Sequence, residues 1–125
     1  MSTVFVDTSA LAKRYLIEIG SDWIQRQVRK TTGNTVIIPE LTMIEISSLL
    51  ARHRREQAIT VTTESRLRRT FARHLGTQYT VINFDNQVQR IAKRLTIKHP
   101  IRTLDAIQLA SALQAERLLK SKSSL

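Results

Sequence analysis

Short apolar runs alternate with longer stretches of helical spacing along this 125-residue chain. Residues 3–6 form a strand-like run, and from about residue 9 to residue 17 apolar positions recur at helical intervals. Gly20, Ser21 and Asp22 punctuate the chain; Trp23, Ile24 and Val28 then predict a second helix ending near residues 31–34. "TVIIPE", residues 35–40, is a second apolar strand stopped by Pro39, and residues 41–57 return to helical spacing. "TVTTES" supplies a turn and a cap at Thr62 or Thr63 for a helix over residues 64–75, which Gly76 closes. A third strand is predicted over residues 78–84. Asp85 caps the helix after it, Pro100 resets the chain, and Thr103 caps a last helix before the polar end "KSKSSL". That last helix is apolar around most of its circumference, which predicts an interior position.

Strands alternating with helices in this way predict an α/β fold, a parallel sheet covered by helices on both faces, in a single domain over residues 1–125. Sites in open sheets of this kind form beyond the carboxyl ends of the strands. Asp7 stands at the end of the first strand. Asp, Thr and Ser are all good helix N-caps, so capping alone accounts for "DTS", residues 7–9; membership of a site accounts for it equally.

Composition narrows the chemistry. The chain has no cysteine, which excludes disulfides, thiolate metal sites and thiol nucleophiles. No apolar run approaches the roughly 18 residues of a membrane span, and the N-terminus lacks a secretory apolar region, so a cytoplasmic location is expected. Twenty Lys+Arg against ten Asp+Glu give a net charge of +10, which favours a polyanionic partner, nucleic acid first. Aromatic residues are only 5% of the chain, so phosphate contact is expected in preference to base stacking. Two basic runs flank one turn: "ARHRRE" with Arg52, Arg54 and Arg55, and "RLRRTFARH" with Arg68 and Arg69. They fit an ordinary solvated face, an RNA backbone or an acidic protein partner. His53, His74 and His99 are isolated and expected at the surface.

Within this basic chain a few acids occupy apolar surroundings. Glu45 has Leu41 and Leu49 four residues to either side, so it lies on the apolar stripe of its helix. A buried carboxylate needs its charge matched, here by Arg52, by Arg102 or by a metal. Asp105 falls in the first turn of the last helix, where the helix dipole favours negative charge and explains it without a site. With no cysteine and no paired histidines, a metal here would take oxygen ligands, which suits Mg²⁺ or Mn²⁺. An acidic metal pocket on a basic protein is what phosphodiester hydrolysis asks for.

Three stretches, "VFVDTSALAKRYL", "IPELTMIEISSLLAR" and "RTLDAIQLASAL", together resemble the PIN-domain family, and within it the VapC-like toxin ribonucleases. They occur in the family order and span nearly the whole chain. The resemblance implies a PIN-like three-layer α/β/α fold and a Mg²⁺- or Mn²⁺-dependent endoribonuclease. Asp7, Glu45 and Asp105 would be its catalytic, metal-holding acids, and Ser9 a supporting hydroxyl. It also implies a homodimer and a cognate antitoxin that keeps the enzyme inactive. Arg52, Arg54, Arg55, Arg68, Arg69 and Arg102 are the expected contacts to RNA or partner.

The family pattern continues after the last helix with further strands and a fourth acid, whereas this sequence reaches Leu125 first. Glu116 does not substitute, being about three helical turns beyond Asp105, and Asp85 and Asp22 are better read as helix-start acids. The first strand is therefore expected at a sheet edge and covered by a partner. The alternative is a catalytically silent PIN domain that binds antitoxin or RNA without cleavage, and a DNA-acting nuclease shares the same charge signature.

Overall fold

The computed structural model describes residues 3–16, 24, 26 and 33–123, the last three as backbone alone. The helix expected around Trp23 and Val28 lies outside the described residues except at Ile24 and Arg26, both helical.

Strands β1 (Thr3–Phe5), β2 (Thr35–Pro39) and β3 (Tyr79–Ile82) form a parallel sheet in the order β1-β2-β3. Val4 lies opposite Val36, and Ile38 opposite Val81. Five helices accompany them among the described residues: α1 (Thr8–Tyr15), α2 (Leu41–Arg55), α3 (Val61–Thr77), α4 (Asn86–Lys98) and α5 (Thr103–Ser123). Successive strand residues point to opposite faces. Val36 and Ile38 accordingly enter one core with Leu11, Ile46, Leu50 and Phe71 of α1–α3. Ile37 enters the other with Val88, Ala92, Ala106 and Ala110 of α4 and α5. Burial on both faces explains why β2 reads as a continuous apolar run instead of an alternating one. This is the expected α/β/α arrangement, and among the described residues β1 pairs with β2 alone.

Several boundaries differ from the sequence expectation, each for a local reason. α2 stops at Arg55, two residues early, because Gln57 takes a left-handed conformation (φ 61°) and Ala58 N–H closes back onto His53 O at 2.8 Å. α3 is capped by Thr60, whose Oγ1 accepts from Thr63 N–H at 3.0 Å, and not by Thr62 or Thr63. It also runs through Gly76 to Thr77. Asp85 caps α4 as expected, accepting from Val88 N–H at 2.9 Å. Thr103 is the first residue of α5, with Arg102 O accepting from Ala106 N–H at 2.8 Å.

The interior placement of the last helix needs correction. α5 buries one side, built largely of small residues such as Ala106, Ala110, Ser111 and Ala115, against the sheet and α4. Leu104, Leu109, Leu113 and Leu118 remain 40–50% exposed. Small residues let the helix axis approach its neighbours, and the larger leucines fall outside the contact.

A polar cluster fastens α1 and α3 to β3. Arg14 Nη1 donates to Tyr79 Oη at 2.7 Å, Tyr79 and Tyr15 share a hydrogen bond, and Tyr15 Oη lies 2.8 Å from His74 Nδ1. One assignment satisfies every group: arginine donates to Tyr79, Tyr79 to Tyr15, and Tyr15 to a neutral His74. His74 is thus buried, contrary to its expected surface position, since it faces these rings instead of solvent. Its burial, with Arg14 and Arg73 nearby, pushes its pKa down to about 4. Burial likewise raises the pKa of Tyr15 and Tyr79.

Candidate functional site

β1 ends just before Asp7, and the turn into α1 uses that residue as its cap: Asp7 Oδ1 accepts from Ala10 N–H at 2.9 Å. Capping places Thr8 as the first residue of α1, facing α2. Thr8 Oγ1 donates to Glu45 Oε1 at 2.6 Å and lies 3.1 Å from Oγ1 of the fully buried Thr42. From α5, Gln108 Nε2 reaches both Glu45 Oε1 (2.9 Å) and Thr8 Oγ1 (3.2 Å). The proton count closes: Thr42 donates to Thr8, Thr8 to Glu45, and the two amide protons of Gln108 go to Thr8 and Glu45. Glu45 is therefore held by neutral donors from two other helices.

Two atoms are left over. Among the described residues Glu45 Oε2 makes no hydrogen bond or ion pair, and buried Gln108 Oε1 has no hydrogen-bond partner. Glu45 also lines a cavity of about 490 Å³ together with Thr8, Ser9, Ser48 and Arg52, with Leu41, Ile44, Leu49 and Leu104 as its apolar wall; Gln108 does not line it. It lies where α1, α2 and the start of α5 meet, beyond the carboxyl end of β1.

The predicted residues take up definite places around this point. Glu45 and Ser9 line the cavity. Asp7 precedes Thr8 and is exposed; Asp105 is exposed in the first turn of α5, one turn before Gln108. Arg52 lines the cavity, yet neither it nor Arg102 pairs with Glu45, as the sequence had led us to expect; the threonine hydroxyl and glutamine amide take that role. Arg54 and Arg68 both grip Glu64, through Nε at 2.6 Å and Nη2 at 2.8 Å, and Arg68 also binds Ser47. The hydrogen bond from Arg68, reinforced by Arg54, holds the Glu64 carboxyl below the usual carboxylate range despite its burial. Arg55, Arg69 and Arg102 are exposed, and among the described residues Arg69 bonds Ser65.

Thr8, Thr42 and Gln108 were not foreseen as site residues. Gln108 carried a signal: it is a long polar side chain in the apolar run "LDAIQLASAL", one turn from Asp105. The threonines carried none beyond their neighbours.

A hard divalent cation takes oxygen ligands, and the cavity lining offers one carboxylate, Glu45, with the hydroxyls of Thr8, Ser9 and Ser48 and with Arg52 beside them. Asp7, Glu45 and Asp105 have no ion pair among the described residues. No three acidic or histidine side chains among the described residues are close enough to make a ready-formed cage, so a cation would draw its ligands together from separate elements.

The chain is thus a parallel α/β/α sheet with a polar cavity at Glu45, beyond the carboxyl end of its first strand. The PIN domain family model matches residues 4–119, and the chain belongs to that family. A comparison with curated proteins finds no match. PIN domains are in general nucleases and typically depend on divalent metals. No helix among the described residues is long and apolar enough to cross a membrane.

Proposed function

We propose that this PIN domain is an endoribonuclease dependent on Mg²⁺ or Mn²⁺, the toxin of a toxin–antitoxin pair acting in the cytoplasm. The carrying observation is the contrast in how two carboxylates are treated. Glu64 is neutralised by two arginines, whereas Glu45, at a cavity mouth, is steadied by uncharged donors and keeps its charge available.

Asp7, Glu45 and Asp105 would hold the cation, with Ser9 as a supporting hydroxyl. A bound Mg²⁺ or Mn²⁺ supplies polarisation of the phosphodiester and activation of water. Thr8 and Gln108 keep Glu45 in one rotamer. Arg52 at the cavity, with exposed Arg55, Arg69 and Arg102, binds the RNA backbone and offsets its charge. In this reading the apolar wall at Ile44 and Leu104, respectively 69% and 50% exposed, serves a homodimer or the cognate antitoxin. A second reading, an RNA- or antitoxin-binding domain without cleavage, is favoured by one observation, the absence of a ready-formed cage among the described residues.

Cleavage of a structured RNA with Mg²⁺ or Mn²⁺, beside EDTA and Asp7→Asn, tests both. Asparagine caps a helix about as well as aspartate, so this variant removes the charge while keeping α1 capped. Metal-dependent cutting lost in Asp7→Asn supports the nuclease; binding of RNA without cutting in either protein supports the silent domain.

A further inference from the structure

We infer that the groove between α4 and α5 is a docking surface for an acidic, amphipathic peptide segment of another protein. The groove has a volume of about 310 Å³ and is lined by Ile91, Arg94, Leu95 and Lys98 of α4 and by Leu113 and Arg117 of α5. It shares no residue with the cavity at Glu45, so the inference goes beyond the nuclease reading and stands or falls without it. Its floor is apolar. Ile91 and Leu95 also pack against the core on that side of the sheet, and Leu113 is left 40% exposed. Its rims are cationic on both sides, with Arg94 and Lys98 on one helix and Arg117 on the other, all exposed.

That charge has no local counterpart. α4 carries Arg90, Lys93, Arg94 and Lys98 and no acid over its 13 residues, although surface helices ordinarily mix both signs. Arg90, Arg94 and Lys98 follow one another at four-residue intervals, a spacing at which like charges destabilise a helix. Lys98 suits the negative end of the helix dipole, but Arg94 a turn earlier and Arg117 across the groove do not gain from it. Among the described residues none of the three has an ion pair, and Glu116 beside Arg117 is taken by Lys120 at 2.9 Å. Carboxylates of an incoming segment supply the missing partners, each arginine offering them two parallel donors. The apolar floor decides the class of partner. Phosphates would use the rims alone, and no aromatic side chain lines the groove to stack a base. A segment with apolar side chains on one face and carboxylates flanking them uses rims and floor together. From Ile91 to Lys98 the groove runs roughly 10 Å along α4, room for about two helical turns.

The test is fluorescence anisotropy of labelled synthetic peptides with the full chain, at physiological ionic strength and without metal. The probe is a short helical peptide with leucines on one face and glutamates on the other. The comparisons are a peptide of the same charge with alanine in place of leucine, and a single-stranded RNA. The amphipathic peptide should bind the parent about tenfold more tightly than the alanine peptide. Arg94→Gln and Arg117→Gln should each weaken it about two- to fivefold, and Leu113→Gln about tenfold. Lys93→Gln removes the same charge from α4 outside this groove and should weaken it less than either arginine variant does. All four side chains are exposed, and thermal melting checks that each variant is folded. Equal binding of the two peptides, an effect of Lys93→Gln as large as that of Arg94→Gln, or no effect of Leu113→Gln overturns the inference. So does a parent chain that binds neither peptide. RNA that displaces the peptide, and that is weakened by Arg94→Gln but not by Leu113→Gln, would make the groove a nucleic-acid surface and overturn it as well.

Discussion

Lowering the pH from 7 to 4.5 should remove about 2.5 kcal/mol of folding stability through His74 alone. Its pKa is 6.5 in an unfolded chain and about 4 in the folded protein, chiefly because burial penalises the charged ring and Arg14 and Arg73 repel it. Between those values the unfolded chain binds a proton that the folded chain refuses, so stability falls as pH drops through 6.5 and levels off below 4. Taking both equilibria at pH 4.5 gives the stated loss, between about a sixth and a half of a typical domain's 5–15 kcal/mol. The assay is urea unfolding at half-unit pH steps for the parent and His74→Gln. Glutamine offers Tyr15 an acceptor oxygen but takes up no proton in this range. Glu64 does not confuse the result. Its pKa is lowered in the fold from the ordinary 4.5, so its contribution begins to fade only near the bottom of the window and is lost below it, as pH falls through the depressed value. His74→Gln should start less stable at pH 7 and then show a nearly flat profile down to 4.5. An unchanged slope in the variant would refute the reasoning and put the acid sensitivity elsewhere.

Gly76 lies inside α3, and a Cβ there meets nothing within 4 Å, so Gly76→Ala should raise stability by about 0.5–1 kcal/mol in thermal unfolding. A lower melting temperature would mean that the helix does not continue through this residue in solution. Gln114 is buried on α5 with an Oε1 unpaired among the described residues, so Gln114→Leu should gain about 1 kcal/mol in urea unfolding. A loss of similar size would show that the amide has a partner.

The fold was legible because both of its regular signals are strong. Continuous apolar runs marked strands buried on two faces, and Pro39 and Asp85 punctuated them at or near the observed element ends. The errors fell where local chemistry has more than one solution. Of the clustered threonines 60, 62 and 63 any could cap α3, and the choice of Thr60 is made by the bond to Thr63 N–H. Gly76 looked like a stop, but a glycine costs a helix only about 1 kcal/mol, which neighbouring contacts of α3 such as buried Phe71 and His74 readily exceed. His74 looked exposed because its sequence neighbours are basic; its environment is set by Tyr15 and Tyr79, far away in sequence. The same holds at the site. Glu45 stood out as an acid on an apolar stripe, but the sequence could not show that its partners would be a threonine 37 residues before it and a glutamine 63 residues after it.

That choice of partners is the most informative feature of the molecule. Arginine is abundant in the chain and solves the problem of a buried carboxylate directly: Arg54 and Arg68 close on Glu64 from two sides and depress its pKa. Arg52 lines the same cavity as Glu45 and makes no ion pair with it. A hydroxyl and an amide fix a carboxylate's position without cancelling its charge. An arginine in their place would satisfy the same lone pairs but would oppose a second cation at the site. Neutral donors at Glu45 and charged ones at Glu64 therefore separate a carboxylate with no counterion among the described residues from one that braces α2 against α3. In the proposed function the same physics applies to Arg52, which lines the cavity without an ion pair to Glu45 and would meet a phosphate there. One arginine and one carboxylate thus line the same cavity without pairing, an arrangement that under the proposed function leaves each for a different part of the substrate complex.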